Sequence, residues 1–274
     1  MKEILFILLI ILIFLYFYFY FTKNKENFEE KDDFFKKSYK YEENFDKYYS
    51  YLYDDLFFDK KYYVKIAFIM LKYLNSVYNN HLIMGIKHGG HINELLKNNM
   101  KILSITKSKD IVNISKENYP NNKYENIVKY DINQYIFDEN YFTHISLIDN
   151  EIYFIPNINS LFNNSYKWLI FKGYFFIQTY NNINDLKQDF LNINYDSKYR
   201  IKYNYTNYFK DYNNSKSFYL IEKLKRKNKE RINQHTLYYH DIKYILFTAN
   251  EFGFKHIKTH PLNNYQNIVV FQKI

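Results

Sequence analysis

The sequence contains no cysteine, and its 274 residues include only five glycines and three prolines. Without cysteine there is no disulfide framework, no thiolate metal site and no cysteine nucleophile. The GxSxG, P-loop and kinase motifs are also missing, so the enzyme classes that depend on them have no support. Heavy use of Tyr, Phe, Asn, Ile and Lys indicates codon bias from an AT-rich genome. Aromatic content is therefore weak evidence for any binding site.

The net charge is +9, and the basic excess is concentrated in EKLKRKNKER, residues 222–231. This charge permits attraction to phosphate groups or to an anionic membrane face. Taken alone, the run could be a nucleic-acid-binding patch. Because β-rich sequence flanks it on both sides, the solvated tip of a β-hairpin is the favoured interpretation. Nucleic-acid binding stays open as the alternative.

Residues 4–21 carry no charge, no proline and no glycine. As a helix they would span about 27 Å, close to the thickness of a hydrocarbon core. The run ends in Tyr, Phe, Thr and Lys, whereas a cleaved signal peptide would end in small residues. We therefore predict a single-pass transmembrane anchor in residues 1–22. More lysines follow the span than precede it, which favours a membrane protein whose large domain faces the cytosol.

Residues 23–44 mix lysine with acidic residues and are predicted to be a solvated tether, followed by one domain at 45–274. After two predicted helices, short apolar strands alternate with amphipathic helices as far as residue 180. This order predicts parallel βαβ units in a sheet that is buried on both faces. An insertion at about 198–240 then follows, with antiparallel strands predicted at 200–210, 216–224 and 231–240. A helix that ends at Gly253 and two final strands complete the domain.

Seven stretches of the domain occur in a specific order on these elements. They are FDKYYSYLYDDLF, LIMGIKHGGHINELL, KILSITKSKDIVNISKENYP, ENIVKYDI, YFTHISLIDNEIYFI, YKWLIFKGYFFIQ and INQHTLYYHDIKYILFTANEFGFKHI. In this order the chain resembles class I S-adenosylmethionine-dependent methyltransferases, most closely the small methyltransferase-like proteins of large DNA viruses. The resemblance covers residues 42–273. It implies an α/β fold with a doubly wound, Rossmann-like seven-stranded sheet, an antiparallel last strand and a hairpin insertion that caps the substrate side.

The first motif of this family, acid-x-G-x-G-x-G, falls on LIMGIKHGGHINELL. Gly85 and Gly89 match the first and last glycines, whereas Lys87 replaces the middle glycine and Ile83 replaces the acid. Glycines in this loop let the backbone approach the cofactor closely. An ammonium at Lys87 would repel the cationic sulfonium of S-adenosylmethionine, although it could also meet the cofactor's carboxylate.

The resemblance places four further residues at the cofactor. Thr106 stands where an acid would bind the ribose, Asp131 lies near the adenine, and Asp149 and His91 line the cleft. The implied cofactor-binding set is therefore Gly85, Lys87, Gly89, His91, Thr106, Asp131 and Asp149. Each missing acid costs about 1.5–3 kcal/mol, and the two together roughly two to four powers of ten in affinity. Binding of S-adenosylmethionine is thus expected to be weakened or lost.

The candidate catalytic residues are His235, Asp149 and Glu151. His235 lies at the end of the capping hairpin and could act as a general base, or it could be a hydrogen-bonded hairpin residue. No metal site is predicted, because His88 and His91 lack suitable further ligands. Three functions stay open: a methyltransferase-like scaffold with a degenerate cofactor site, an active methyltransferase of unknown small-molecule or protein substrate, and a nucleic-acid-binding membrane protein.

Overall fold

The computed structural model describes residues 9–18, 34–57, 60–74, 79–87, 89–119, 124–128, 136–191, 197–211 and 217–274. Residues 9–18 form helix α1, whose side chains are all exposed. Within these ranges no helix is both long and apolar enough to cross a membrane. The predicted span at residues 4–21 extends beyond both ends of α1. The membrane anchor therefore stays a prediction.

The strands are β1 (Lys37–Ser38), β2 (Asn80–Met84), β3 (Lys101–Thr106), β4 (Tyr124–Val128), β5 (Phe142–Leu147), β6 (Leu169–Tyr180), β7 (Thr206–Asp211), β8 (Ser217–Arg226), β9 (Lys229–Tyr238), β10 (Phe254–Pro261) and β11 (Gln266–Lys273). The helices after α1 are α2 (Tyr41–Asn44), α3 (Lys47–Phe57), α4 (Lys60–Leu71), α5 (Ile92–Lys97), α6 (Lys109–Asn118), α7 (Asn159–Trp168), α8 (Ile183–Leu191), α9 (Lys198–Lys202) and α10 (Ile242–Glu251). A 3₁₀-helix spans Glu151–Phe154.

Seven strands form the central sheet, in the order β10-β11-β6-β5-β2-β3-β4. Strands β2 to β6 are mutually parallel, and β11 is antiparallel to both β6 and β10. The prediction of a doubly wound sheet with an antiparallel last strand is confirmed. From β2 the chain proceeds to β3 and β4 and then returns to β5 on the other side of β2. The carboxyl ends of β2 and β5 thus form the switch point at which such sheets bind ligands.

Strands β2, β3 and β5 of the central sheet are buried on both faces, as their aliphatic sequences predict. Successive side chains of a strand point to opposite faces. In β2, Ile83 therefore packs into the core shared with α3, α4 and α5, while Leu82 and Met84 pack into the core shared with α7, α8 and α10. This alternation fixes the direction in which the residues after β2 leave the sheet.

The insertion forms a second sheet in the order β1-β9-β8-β7. The predicted strands at 216–224 and 231–240 are present as the hairpin β8–β9. The first half of the predicted strand at 200–210 is wrong, because Lys198–Lys202 is helical and the strand begins at Thr206. Helix α8 was not predicted. The sequence feature that could have indicated this helix is the capping residue Asn182. Its side-chain oxygen accepts a 2.9 Å hydrogen bond from the Asp185 amide.

Residues 34–57, called here the N-terminal segment, pack against the domain. Phe34 is fully buried, although it lies in the stretch predicted to be a solvated tether. Ser38 pairs in parallel with Asn233 of β9, which extends the insertion sheet by one short strand. A two-residue strand is too short to show a period in the sequence, so its docking depends on tertiary contacts.

Candidate functional site

The loop after β2 opens the switch-point crevice and contains two left-handed glycines. Gly85 has φ of +74° and Gly89 has φ of +64°, a region that side chains rarely tolerate. The Gly85 amide donates a 2.9 Å hydrogen bond to the carbonyl of Ile105 in β3. A Cβ at Gly89 would approach Cδ1 of Ile92 to 2.6 Å. Both glycines are therefore required by the shape of this loop.

The chain leaves β5 through two consecutive left-handed residues that are not glycine. Asp149 has φ of 57° and Asn150 has φ of 64°, and each such residue costs on the order of 1–3 kcal/mol. Gln178 of β6 holds both in place. Its Oε1 accepts from the Asp149 amide at 2.8 Å, and its Nε2 donates to Asn150 Oδ1 at 2.6 Å. This turn directs Glu151 toward the loop after β2.

Lys87 lies across the crevice between the two loops. Its Nζ donates to the carbonyl oxygen of Asp149 at 2.6 Å and lies 3.2 Å from Oε1 of Glu151. The Lys87 side chain is 1% exposed and that of Glu151 is 6% exposed. The ammonium also lies 4.2 Å from the ring centre of Phe154. Lys87 and Glu151 therefore form an ion pair that is almost completely removed from solvent.

Glu151 occupies the space that the missing side chain of Gly85 leaves open. A Cβ built on Gly85 would lie 2.1 Å from Cγ and 2.4 Å from Cδ of Glu151. Such distances are far inside van der Waals contact, so residue 85 must be glycine for Glu151 to fit. The side chain of Glu151 therefore lies against the Gly85 backbone, where glycine would otherwise allow a ligand to approach.

His91 packs behind this pair. It is fully buried, and its ring stacks on Tyr63 with the ring centres 6.2 Å apart. The Tyr63 hydroxyl in turn donates to Asp149 Oδ1 at 2.7 Å. Within the described residues neither ring nitrogen of His91 has a hydrogen-bond partner. Burial lowers the pKa of His91 to about 4, and Asp149 only partly opposes this effect. The imidazole is therefore neutral at pH 7.

A depressed histidine pKa makes stability depend on pH in a defined direction. The unfolded state binds the proton more tightly, so the stability that neutral His91 provides is lost as pH falls from 6.5 toward 4. Between about pH 7 and 5, one such histidine accounts for about 2 kcal/mol. We expect His91→Gln to reduce the pH dependence of the unfolding free energy by this amount in urea titrations. Parallel pH curves for the two proteins would contradict the assignment.

Thr106 ends β3 and is buried beneath the N-terminal segment. Its hydroxyl oxygen accepts a 3.4 Å hydrogen bond from the Ser108 amide. Ser108 caps α6 by accepting from the Ile111 amide, and it donates to the carbonyl of Phe45 at 2.6 Å. The N-terminal segment thus covers the end of β3. Asp131, the expected adenine contact, lies outside the described residues.

His235 belongs to a second buried cluster, centred on Glu222 of the hairpin. Its Nε2 lies 2.6 Å from Glu222 Oε2, and its Nδ1 lies 3.3 Å from Nδ2 of Asn44. The hydroxyls of Tyr205, at 2.6 Å, and of Tyr49 also donate to this carboxylate. Burial raises the pKa of Glu222, but His235 and these hydrogen bonds outweigh burial and hold the pKa below its ordinary value. Glu222 is therefore an ionised, fully buried carboxylate.

Two phenylalanine rings lie between the clusters. The Phe45 ring centre is 5.6 Å from Lys87 Nζ and 5.8 Å from the His235 ring centre. The Phe154 ring also lies between Lys87 and His235. Its centre is 4.2 Å from Lys87 Nζ and 6.0 Å from the His235 ring centre. The structure thus brings Gly85, Lys87, Asp149 and Glu151 together in the crevice. It places His235 beyond these rings, within the interface between hairpin and N-terminal segment.

Several residues of these clusters were missed in the sequence. They are Phe45, Tyr63, Gln178 and Glu222. A signal did exist for the hairpin residues, because Glu222 shares its strand face with Leu220 and Leu224, and all three are buried. Polar residues on the apolar face of a strand need buried partners. Phe45 and Tyr63 carried no comparable signal in so aromatic a chain.

Comparison with known proteins supports the fold. No protein-family model matches the chain, and no curated protein matches it by sequence. Among solved structures it resembles an S-adenosylmethionine-dependent methyltransferase from Clostridium acetobutylicum, with a TM-score of 0.63, 15% identity and coverage of 82% of this chain and 97% of that one. The CcbJ methyltransferase from Streptomyces caelestis has a TM-score of 0.59 and 11% identity, and the match covers 77% of this chain and 89% of that one. The chain therefore has the class I methyltransferase fold.

A third similar structure contains the cofactor. It is S-adenosylmethionine-bound CalS10, an amino pentose methyltransferase from Micromonospora echinaspora, with a TM-score of 0.54, 8% identity, and 78% of this chain and 91% of that one covered. The narrower resemblance to viral proteins stays a prediction.

Proposed function

We propose that the protein is a membrane-anchored, methyltransferase-like scaffold whose cofactor site is occupied by its own side chains. The observation that carries this proposal is the buried ion pair between Lys87 and Glu151 at the switch point. In doubly wound sheets a ligand lies outside the carboxyl ends of the strands at this point. Here that space holds an ammonium and a carboxylate from the chain.

The residues present are a poor fit to S-adenosylmethionine. The open face of Gly85, which would let a ligand approach the backbone, is filled by Glu151. Lys87 would bring a positive charge close to the sulfonium. Thr106 offers one hydroxyl where two charge-assisted bonds to the ribose are expected. A cofactor would therefore have to displace the ion pair and would find few replacement contacts.

Displacing the pair has a substantial cost. Separating two buried charges costs about 3–5 kcal/mol, because each would be left without a partner in a desolvated place. This cost corresponds to roughly two to four powers of ten in affinity. A cofactor that binds related sites in the micromolar range would bind this one with a dissociation constant of about 0.1–10 mM. The methyltransferase reaction is therefore not part of the proposed function.

An active methyltransferase is the alternative, and one observation favours it. A histidine held by a carboxylate, as His235 is by Glu222, is the arrangement of an oriented general base. However, Asn44 reaches the other ring nitrogen, and Phe45 and Phe154 separate the ring from the crevice. Catalysis by His235 would therefore require the N-terminal segment to move away.

The anchor is the second part of the proposal. Helix α1 carries only apolar and aromatic side chains, and they are exposed to different degrees, from 39% at Ile10 to 72% at Phe14. Such side chains would be stabilised by lipid. With residues 4–21 in the bilayer, the folded domain would lie at the cytosolic surface. The scaffold would then present its surfaces to partners beside that membrane.

Titration calorimetry of the full-length protein with S-adenosylmethionine tests the central claim. We expect no heat of binding at cofactor concentrations below about 0.1 mM, the tight end of the range that results when micromolar binding is weakened by roughly two to four powers of ten. A cooperative thermal transition in the same sample shows that the protein is folded. A dissociation constant in the low micromolar range would overturn the proposal and favour the active enzyme.

A further inference from the structure

The tip of the β8–β9 hairpin is strongly basic. Lys225, Lys227 and Lys229 are exposed and Arg226 is partly exposed, with Glu230 the acid opposite Lys225. The other two charged ends of the basic run, Glu222 and Arg231, point inward and are buried. Lys223 is partly exposed and lies over the Tyr208 ring of β7. The remaining four positive side chains of the run form a compact group around one turn.

Helix α9 extends this basic surface and adds an apolar residue. The Lys225 amide donates to the carbonyl of Tyr203 at 2.6 Å, which fixes the end of α9 beside the hairpin tip. Lys202 lies over the Tyr203 ring with its Nζ 5.5 Å from the ring centre. Ile201 is 77% exposed. We call the tip, Lys202 and Ile201 together the basic face.

The N-terminal segment reaches the domain at this same place. The ring centres of Phe34 and Tyr203 are 5.2 Å apart, and Lys229 Nζ lies 5.8 Å from the ring centre of Phe35. The predicted span ends at residue 21, so only residues 22–33 separate it from Phe34. A chain of this length reaches at most about 40 Å when fully extended. With residues 4–21 in the bilayer, the basic face would therefore lie within this distance of the membrane surface.

We propose that the basic face docks onto anionic phospholipid headgroups of the membrane that holds the anchor; this inference rests on the anchor in the proposed function. Each Lys or Arg near an anionic surface strengthens binding about fivefold, equivalent to about 1 kcal/mol. Ile201 can enter the interface between headgroups and acyl chains. The tether keeps the face at high local concentration, so weak individual contacts suffice. An exposed aliphatic residue and a nearby bilayer favour lipid over nucleic acid.

The absence of cysteine allows a single label to be placed at the tip. Full-length protein with Asn228→Cys, carrying a fluorophore, is reconstituted in vesicles that contain a headgroup-attached quencher. We expect several-fold stronger quenching in phosphatidylserine-containing vesicles than in phosphatidylcholine alone, and loss of the difference at high salt. Replacing Lys225, Arg226, Lys227 and Lys229 with glutamine should also abolish the difference, since each removes about a fivefold contribution.

A matched control removes four positive charges from other elements. Lys60, Lys61, Lys255 and Lys258 are exposed on α4 and β10, and their replacement with glutamine should leave the quenching unchanged. Equal quenching in both vesicle types, or loss of quenching in this control, would overturn the proposal. A second result would also overturn it: quenching that does not depend on the lipid headgroup, together with salt-dependent RNA binding that the four tip substitutions abolish.

The anchor is tested separately in the same preparation. Flotation with phosphatidylcholine vesicles reports insertion of residues 4–21, and its failure would count against the anchor. In that case binding of the soluble protein to added phosphatidylserine vesicles still tests the basic face. The two failures are therefore distinguishable.

Discussion

Replacing Arg231 with alanine is expected to lower the free energy of unfolding by about 3–5 kcal/mol. The guanidinium is fully buried, and its Nη1 lies 3.2 and 3.0 Å from the two carboxylate oxygens of Asp46. It also donates to the carbonyls of Phe34 and Asn44 and lies 5.2 Å from the ring centres of Phe34 and Tyr49. Removing it leaves a carboxylate and two carbonyls without these donors.

The matched control is Lys36→Ala. Lys36 Nζ also pairs with Asp46, at 2.8 Å, but its side chain is 34% exposed. Because solvent screens this pair, its loss should cost about 0–1 kcal/mol. Urea unfolding of the unmodified protein, Arg231→Ala and Lys36→Ala measures the two losses of stability. The melting temperature of Arg231→Ala should also be lower by roughly 10 °C. Equal effects of the two substitutions would contradict the anchoring role of Arg231.

Arg231 also affects how the crevice is covered. Arg231 joins the insertion sheet to the N-terminal segment, and that segment supplies Phe45, which lies against Lys87 over the crevice. Loosening the segment should expose the crevice to solvent. Hydrogen exchange of amides in α2 and α3 should therefore increase more in Arg231→Ala than in Lys36→Ala.

A triple substitution, Lys87→Gly with Glu151→Ala and Thr106→Asp, is expected to create measurable S-adenosylmethionine binding. Removing both partners clears the crevice without leaving one buried charge unpaired. Aspartate at residue 106 can accept two charge-assisted bonds from the ribose, a gain of about 1.5–3 kcal/mol or roughly ten- to a hundredfold. Calorimetry measures the affinity of each variant against the unmodified protein.

Two partial variants are the controls for the triple substitution. Thr106→Asp alone should gain little, because the Lys87–Glu151 pair still fills the crevice. The double variant without Thr106→Asp should gain less than the triple variant. Ile83 is left unchanged, since an aspartate there would lie among the apolar side chains of Ile86 and Ile92. Thr106 differs because its polar side chain already accepts a hydrogen bond from the Ser108 amide, a donor that an aspartate can also use. A folded triple variant with unaltered affinity would refute our account of the crevice.

The parallel part of the central sheet was predictable because its strands are short, rich in aliphatic residues and buried on both faces. KILSIT and THISLI fill both cores, and the helices between them show the amphipathic period that a parallel crossover needs. Gly85 and Gly89 were identifiable because few residues tolerate their backbone. Such features are local, so each can be read from a few neighbouring residues.

The partners of the charged residues were not predictable in this way. Lys87 and Glu151 are on loops after different strands, and only the order of β2 and β5 in the sheet makes them neighbours. Residues 34–44 resemble a solvated tether in composition, yet Arg231 and β9 bind them. Charge in a sequence does not reveal burial, because a buried charge depends on a partner that is distant along the chain.

The sequence by itself therefore determined the class of fold, the succession of strands and helices along the chain, the glycine turn after β2 and the apolar run at residues 4–21. Only the tertiary structure decided what fills that turn. Hydrophobic period and backbone preference are properties of short stretches, whereas the crevice is made where separate strands end side by side. At that place Lys87 and Glu151 meet over Gly85, and their pairing is the physical basis of the proposed function.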